Sequence, residues 1–137
     1  MILVDTGPLV ALFNPQDAHH DECVARGAMA SREALVTTLP VLTEVFYFLR
    51  PESRSSDALR AFIADGGLAV HFSDDGELAR AFELMETYAD HPMDLADGSV
   101  IAAAETLGTR KVFTLDRNDF ETYRVKRGHR SYPVEIV

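Results

Sequence analysis

The stretch MILVDTGP (residues 1–8) places four apolar residues directly before an aspartate. A short continuous apolar run bounded by turn residues is typical of a strand that is buried on both faces of a parallel sheet. Pro8 suits the first turn of a helix, where the missing backbone N–H costs nothing. The stretch therefore predicts a buried strand that ends at Asp5, with a helix beginning at Pro8.

Apolar runs and helical periods alternate along the remainder of the chain. Further strands are predicted at residues 34–38, 68–72, 111–115 and 133–137. Helices are predicted at residues 8–14, 18–31, 40–50, 55–67, 74–90 and 94–108. This interleaving predicts an α/β fold, a three-layer α/β/α sandwich around a mainly parallel central sheet. The length of 137 residues predicts a single domain that spans residues 1–137. In such sheets, ligands bind beyond the carboxyl ends of the strands.

Composition and charge limit the function classes. No apolar run reaches the roughly 18 residues of a membrane span, and the single Cys23 cannot form an intrachain disulfide, so we expect a cytoplasmic protein without a membrane partner. The net charge is −9, yet residues 110–137 hold seven Lys and Arg against four acids. These bases are either an ordinary solvated surface or an RNA-binding rim that contacts phosphates: Arg110, Lys111, Arg117, Arg124, Lys126, Arg127 and Arg130.

Two acids lie where a carboxylate needs an explanation. Asp5 ends the first strand, where it or Thr6 could simply cap the following helix. Glu44 borders the apolar face of a helix, about 40° from Phe48 and 60° from Val41 at 100° per residue. No Lys or Arg lies between Arg32 and Arg50 to compensate its charge. Glu44 therefore either turns to solvent or meets a metal ion or a distant arginine.

Two more pairs of acids repeat this pattern. Asp94 and Asp97 share one face at the start of a helix whose buried stripe continues through Ile101, although capping would also explain them. Asp116 ends the strand KVFTL and Asp119 follows it, where an Asx turn is the alternative. Converging carboxylates repel one another unless a cation relieves them. Oxygen-only ligands favour Mg²⁺ or Mn²⁺, so these acids together predict a metal site.

These motifs resemble the PIN-domain ribonucleases, and among them the VapC-type toxins of toxin–antitoxin pairs. The resemblance rests on ILVDTGPLVALFN, TTLPVLTEVFYFL, PMDLADGSVIAAAETLG and KVFTLDRNDF in this order. It implies that four acids are catalytic and bind Mg²⁺ or Mn²⁺: Asp5, Glu44, Asp97 and Asp116. Supporting roles are implied for Thr6, Asp94, Thr114 and Asp119. Gly98 departs from the pattern, because the family usually has alanine at this place.

The resemblance also implies a function. It implies an endoribonuclease that hydrolyses RNA phosphodiesters, acting as the toxin of a type II toxin–antitoxin system. It further implies a homodimer and a cognate antitoxin protein, for which the segments EVFYFLR and ALRAFIA offer apolar side chains. Two alternatives stay open. One is an acid-pocket phosphotransfer or phosphatase domain with Asp5 as nucleophile, and the other is a non-catalytic binding module of the same fold.

Overall fold

A central sheet of five parallel strands organises the structure, a computed structural model that describes residues 1–137. Its strands are β1 (Ile2–Val4), β2 (Leu35–Thr38), β3 (Ala69–His71), β4 (Lys111–Phe113) and, at the C-terminus, β7 (Glu135–Ile136). Their spatial order is β3-β2-β1-β4-β7, with every neighbouring pair parallel. The predicted parallel sheet is therefore confirmed, with β1 at its centre.

Seven helices cover the sheet. Their bounds are α1 (Thr6–Phe13), α2 (His20–Ala30), α3 (Leu39–Leu49), α4 (Arg54–Ala64), α5 (Asp75–Thr87), α6 (Leu95–Leu107) and α7 (Arg117–Thr122). Helix α1 contacts α2, α3 and α4, whereas α6 packs against α5, β1 and β2. This arrangement confirms the α/β class and the predicted helix layers. None of the seven helices combines the length and the apolar character that crossing a membrane requires.

The core is one cluster of 28 buried apolar residues, and β1 is its centre. Ile2, Leu3 and Val4 are all buried, as an unbroken apolar run in a parallel strand predicts. Along α6 almost every residue from Ala96 to Ala104 is buried, because this helix lies between the sheet and α5. Gly108 ends α6 in the left-handed conformation, with φ of 71°, as its place in the sequence predicts.

Three features differ from the sequence predictions. Helix α1 begins at Thr6, two residues before Pro8. Phe48 is exposed, because the buried stripe of α3 runs through Val41, Leu42, Val45 and Leu49 instead. The sequence analysis assigns no helix or strand between Asp116 and Tyr132, but the segment forms α7 and an antiparallel hairpin of β5 (Arg124–Arg127) and β6 (Arg130–Pro133). Its two-residue turn contains Gly128 with φ of 60°, which is the signal that the sequence offered for it.

Gly98 on α6 lies close to the backbone of α5. A Cβ atom at this position would stand 3.2 Å from the carbonyl oxygen of Ala81 and 3.5 Å from the Ala81 Cβ. The small residue therefore allows α5 and α6 to approach closely beside Asp97. Steric room, and not backbone freedom, is the reason for glycine here, since its φ is not positive.

We expect Gly98→Ala to destabilise the protein. Alanine gains about 1 kcal/mol of helix propensity over glycine, but overpacking against the fixed α5 backbone costs about 1–3 kcal/mol. Gly76→Ala is the matched control, because Gly76 is exposed in the first turn of α5 and its Cβ would meet only the Asp74 carboxylate at 3.4 Å. Thermal unfolding should show a lower melting temperature for Gly98→Ala and a higher one for Gly76→Ala. Equal increases in both would contradict the close approach.

Candidate active site

Asp5 lies at the carboxyl end of the central strand and is almost fully buried, with 6% of its surface exposed. Its backbone is extended and precedes α1, but its side chain makes no capping hydrogen bond to that helix. Instead, the hydroxyl of Thr114 donates to Asp5 Oδ2 at 2.9 Å. The capping explanation therefore does not account for this carboxylate, which is held between the ends of β1 and β4.

The surroundings of Asp5 disfavour its charge. Burial raises its pKa from 3.8 to about 6, and the negative charges of Asp94 and Glu44 act in the same direction. Asp5 forms no ion pair with any Lys, Arg or His. The same holds for Glu44, Asp97 and Asp116, so none of these four carboxylates has a counter-ion within ion-pair distance.

Glu44 projects from α3 and is half-buried. The hydroxyl of Thr6, in the first turn of α1, donates to Glu44 Oε2 at 2.8 Å. The alternative that Glu44 turns freely to solvent is therefore wrong, because its carboxylate is tied across two helices beside Asp5. Thr6 and Thr114 thus hold the carboxylates of two different elements.

Asp94 and Asp97 divide two roles at the start of α6. Asp94 is the N-cap, and its side chain accepts from the backbone N–H of Asp97 at 2.8 Å, so the capping explanation is confirmed for this residue. Asp97 is half-buried. The pKa of Asp97 is raised from 3.8 to about 7, and burial is the largest cause. The negative charges of Asp94 and then of Asp5 act in the same direction. The ionised form of Asp97 is therefore disfavoured both by burial and by two neighbouring acids.

Asp116 and Asp119 lie after β4. Asp116 is the N-cap of α7, and its side chain accepts from the backbone N–H of Asp119 at 3.2 Å. Burial and a side-chain hydrogen bond with Asp119 raise the pKa of Asp116. Asp119 itself contacts the ring of His91, a partner that the sequence did not suggest. These four acids, Asp5, Glu44, Asp97 and Asp116, lie at the carboxyl edge of the sheet, which we call the acid edge.

Tyr123 is a residue of the acid edge that the sequence reasoning missed. Its ring is completely buried among Tyr88, His91 and Phe120, and its hydroxyl donates to Asp97 Oδ2 at 3.2 Å. Burial and the charges of Asp97, Asp119 and Asp116 raise its pKa, so the phenol stays a neutral donor. No periodic pattern marked this tyrosine, since it lies in the short connection between α7 and β5.

The chemistry of the acid edge fits a hard divalent cation. Its donors are carboxylate oxygens without ion-pair partners, and the charges of neighbouring acids add to the cost of ionising Asp5 and Asp97. The side chains do not form a preassembled cage, however, because no three Asp, Glu, His or Cys side chains lie close enough to hold one ion. A bound cation would have to draw these carboxylates closer together.

The predicted RNA-binding bases do not surround the acid edge. Lys111 lies at the amino end of β4, the end opposite to the acid edge, and pairs with Glu33 at 2.5 Å. Arg124 caps α7 by donating to the carbonyls of Glu121, Thr122 and Tyr123, and Arg117 lies beside Asp116. Arg124 is the first residue of β5, and the other four also lie on the β5–β6 hairpin or at its base: Arg110, Lys126, Arg127 and Arg130.

Comparison with known proteins identifies the family. The family model described as PIN domain matches residues 2–126. The chain belongs to the PIN domain family. It is similar to Ribonuclease VapC26 of Mycobacterium tuberculosis (strain ATCC 25618 / H37Rv), with 27% identity over 134 residues that cover 94% of this chain and 96% of that protein. The resemblance that the sequence motifs suggested is therefore confirmed.

A solved structure shares the fold of this PIN domain. The crystal structure of Mycobacterium tuberculosis VapC20, described as a Sarcin-Ricin loop cleaving toxin, superposes with a TM-score of 0.75 at 22% identity. The match covers 87% of this chain and 92% of that chain. At this identity the likeness shows the fold, including the parallel sheet on which the acid edge is built.

We expect Asp5→Asn to stabilise the metal-free protein at high pH. The folded-state pKa of about 6 exceeds the unfolded value of 3.8, so the folded protein loses stability as the pH rises through 6. Asparagine cannot ionise, so the variant should exceed the parent by up to about 3 kcal/mol near pH 8 and match it below about pH 4.

Chemical unfolding in EDTA across this pH range measures the difference. Asp65→Asn is the control, because Asp65 is exposed at the end of α4, and its stability curve should follow the parent. An Asp5→Asn variant that is less stable than the parent at about pH 8 would show that the ionised carboxylate has a favourable partner in the fold.

Proposed function

We propose that this PIN domain is an endoribonuclease that requires Mg²⁺ or Mn²⁺ and hydrolyses RNA phosphodiesters. The observation that carries the proposal is the acid edge, where Asp5 is buried and ionises at a cost without any positive partner. A fold has little reason to keep carboxylates in such a place for stability. Their oxygen ligands are those that hard divalent cations prefer.

The proposed metal ligands and catalytic residues are Asp5, Glu44, Asp97 and Asp116. When bound, the cation would activate a water as nucleophile and neutralise charge that develops on the phosphate. Thr114 and Thr6 would hold the carboxylates of Asp5 and Glu44 in place, since each already donates one hydrogen bond. Tyr123 would restrain Asp97 through Oδ2 and leave Oδ1 free. Asp94 would act mainly as the N-cap of α6, and Asp119 through its side-chain contacts with Asp116 and His91.

RNA is the proposed substrate because the similar curated protein is named a ribonuclease. Arg117 is the base best placed to contact a phosphate at the acid edge. Its guanidinium is largely exposed, and its one ion pair, with Glu121, is long at 3.9 Å. An incoming phosphate can therefore compete for it.

A toxin role in a type II toxin–antitoxin pair, with an antitoxin and a homodimer, is the biological part of the proposal. It is supported by the similarity to VapC-named proteins. On α3, the aromatic rings of Tyr47 and Phe48 are 79% and 59% exposed and stack edge to face, which suits an apolar contact with another protein. We further propose that residues 1–137 act as one domain, and a cytoplasmic location stays a prediction from the sequence.

The alternative of a phosphotransfer domain finds less support. A phospho-aspartate site at Asp5 needs a lysine to hold the phosphate, but Lys111 lies at the opposite edge of the sheet and pairs with Glu33. The other alternative, a non-catalytic binding module, leaves the unpaired carboxylates of the acid edge without a purpose.

The proposal predicts metal-dependent cleavage of RNA. We expect the parent protein to cut RNA with Mn²⁺ or Mg²⁺ and to lose the activity in EDTA. Asp5→Asn and Asp97→Asn should each reduce the rate by at least about a hundredfold, because each removes a charge that binds the cation. Activity should rise with pH through about 6 to 7, as Asp5 and Asp97 lose their protons.

A separate binding measurement distinguishes a variant that binds the metal but catalyses slowly from a variant that does not bind the metal. Isothermal titration calorimetry with Mn²⁺ should detect binding to the parent and much weaker binding to Asp97→Asn. Asp65→Asn has the same change of charge on an exposed site and should behave as the parent. Cleavage that survives EDTA, or that survives Asp5→Asn, would refute the metal mechanism.

A further inference from the structure

The β5–β6 hairpin concentrates positive charge that no acid neutralises. Of the 13 Lys and Arg residues, eight form no ion pair. Five of those eight lie on the hairpin or at its base: Arg110, Arg124, Lys126, Arg127 and Arg130. The whole chain has a net charge of −9, so this local excess is opposite to the general composition.

Two of these cations are placed directly against each other. Arg127 and Arg130 are opposite residues in the antiparallel register and flank the two-residue turn. Like charges at such positions destabilise a hairpin. A ligand with closely spaced negative charges would remove this repulsion.

The hairpin is fixed to the body of the protein, so its cations are presented in a defined array. Val125 is completely buried, the backbone N–H of Lys126 donates to Glu105 at 3.0 Å, and Arg127 donates to the Gly108 carbonyl at 2.5 Å. The Glu105 carboxylate is already paired with Arg80 at 2.9 Å. It therefore anchors the hairpin backbone without cancelling the charge of its side chains.

Strand β5 leads away from the acid edge along α6. It starts beside Tyr123, which contacts Asp97 near the beginning of α6, and reaches Gly108 at the end of that helix. At 1.5 Å per residue, Asp97 and Gly108 are about 16 Å apart. Arg127 and Arg130 are consequently too far from the carboxylates to contact the phosphate that is cleaved.

We propose that the β5–β6 hairpin is a second RNA-binding surface, which holds the substrate backbone several nucleotides from the scissile phosphate. Four of the five cations are arginines, whose planar guanidinium matches phosphate oxygens in a bidentate fashion. Arg110 also stacks over Tyr132 at 5.6 Å, which adds a flat surface for a base. These features favour RNA over an acidic protein segment. The inference rests on the proposed function for the identity of the substrate.

The test measures RNA binding in EDTA, where the acid edge holds no metal. The probe is fluorescein-labelled single-stranded RNA of about 16 nucleotides, compared with one of about 4 nucleotides. The parent should bind the longer RNA more tightly. The triple variant Lys126→Gln/Arg127→Gln/Arg130→Gln should lose about tenfold in affinity for the longer RNA. The slope of the logarithm of its binding constant against the logarithm of salt concentration should be shallower by about two.

The matched control is Arg32→Gln/Arg54→Gln/Arg60→Gln, which removes the same charge from other surfaces and should keep most of the affinity. A double variant, Lys126→Gln/Arg130→Gln, spares the hydrogen bond of Arg127 and should show the same trend if the triple variant unfolds. The inference is overturned if hairpin and control variants bind alike. It is also overturned if the hairpin variants keep RNA affinity but lose affinity for poly-glutamate, which would make the surface a protein site.

This outcome is independent of catalysis. Should the parent fail to cleave RNA with Mn²⁺ while the hairpin variants still lose RNA affinity, the proposed hydrolysis fails and the second RNA-binding surface stands. Should the parent cleave RNA while the hairpin variants bind it as the parent does, the proposed function stands and the second surface fails.

Discussion

The Asp5 carboxylate is buried at the end of the most central strand, with one hydroxyl donor and no positive partner. A charge in such a place is expensive, and burial raises its pKa to about 6. The neighbouring acids increase this cost, since their charges repel that of Asp5. The acid edge is therefore a region of stored electrostatic strain, which a divalent cation would relieve, and its carboxylates stay too far apart to form a cage without one.

Much of the fold could be read from the sequence because apolar runs report burial directly. MILV and KVFTL were long enough and apolar enough to mark the central strands β1 and β4. The hairpin escaped prediction because only Val125 and Tyr132 turn inward, so alternating charges concealed its period. Phe48 was assigned to the core because helical angle alone does not tell how far a neighbouring layer extends over a helix end.

The shared location of Asp5 and Asp116 was predictable, because parallel strands bring their carboxyl ends to one edge of the sheet whatever the distance in sequence. The basic residues show the opposite case. Lys111 and Asp116 are only five residues apart in sequence. Strand β4, which rises about 3.3 Å per residue, nevertheless places Lys111 at its amino end and Asp116 beyond its carboxyl end. Sequence proximity thus suggested one basic rim, whereas the fold separates Arg117 beside Asp116 from the ion-paired Lys111 and from the bases of the hairpin.

The sheet order also decides when the site can exist during synthesis. Asp5 receives its hydrogen bond from Thr114, which is 109 residues later in the chain, and β1 gains its second neighbour only when β4 arrives. A ribosome that has made the first hundred residues therefore exposes a chain whose central strand is still unpaired on one side. The cluster of acids cannot assemble before the final quarter of the polypeptide emerges, so a truncated translation product carries Asp5 but not the acid edge.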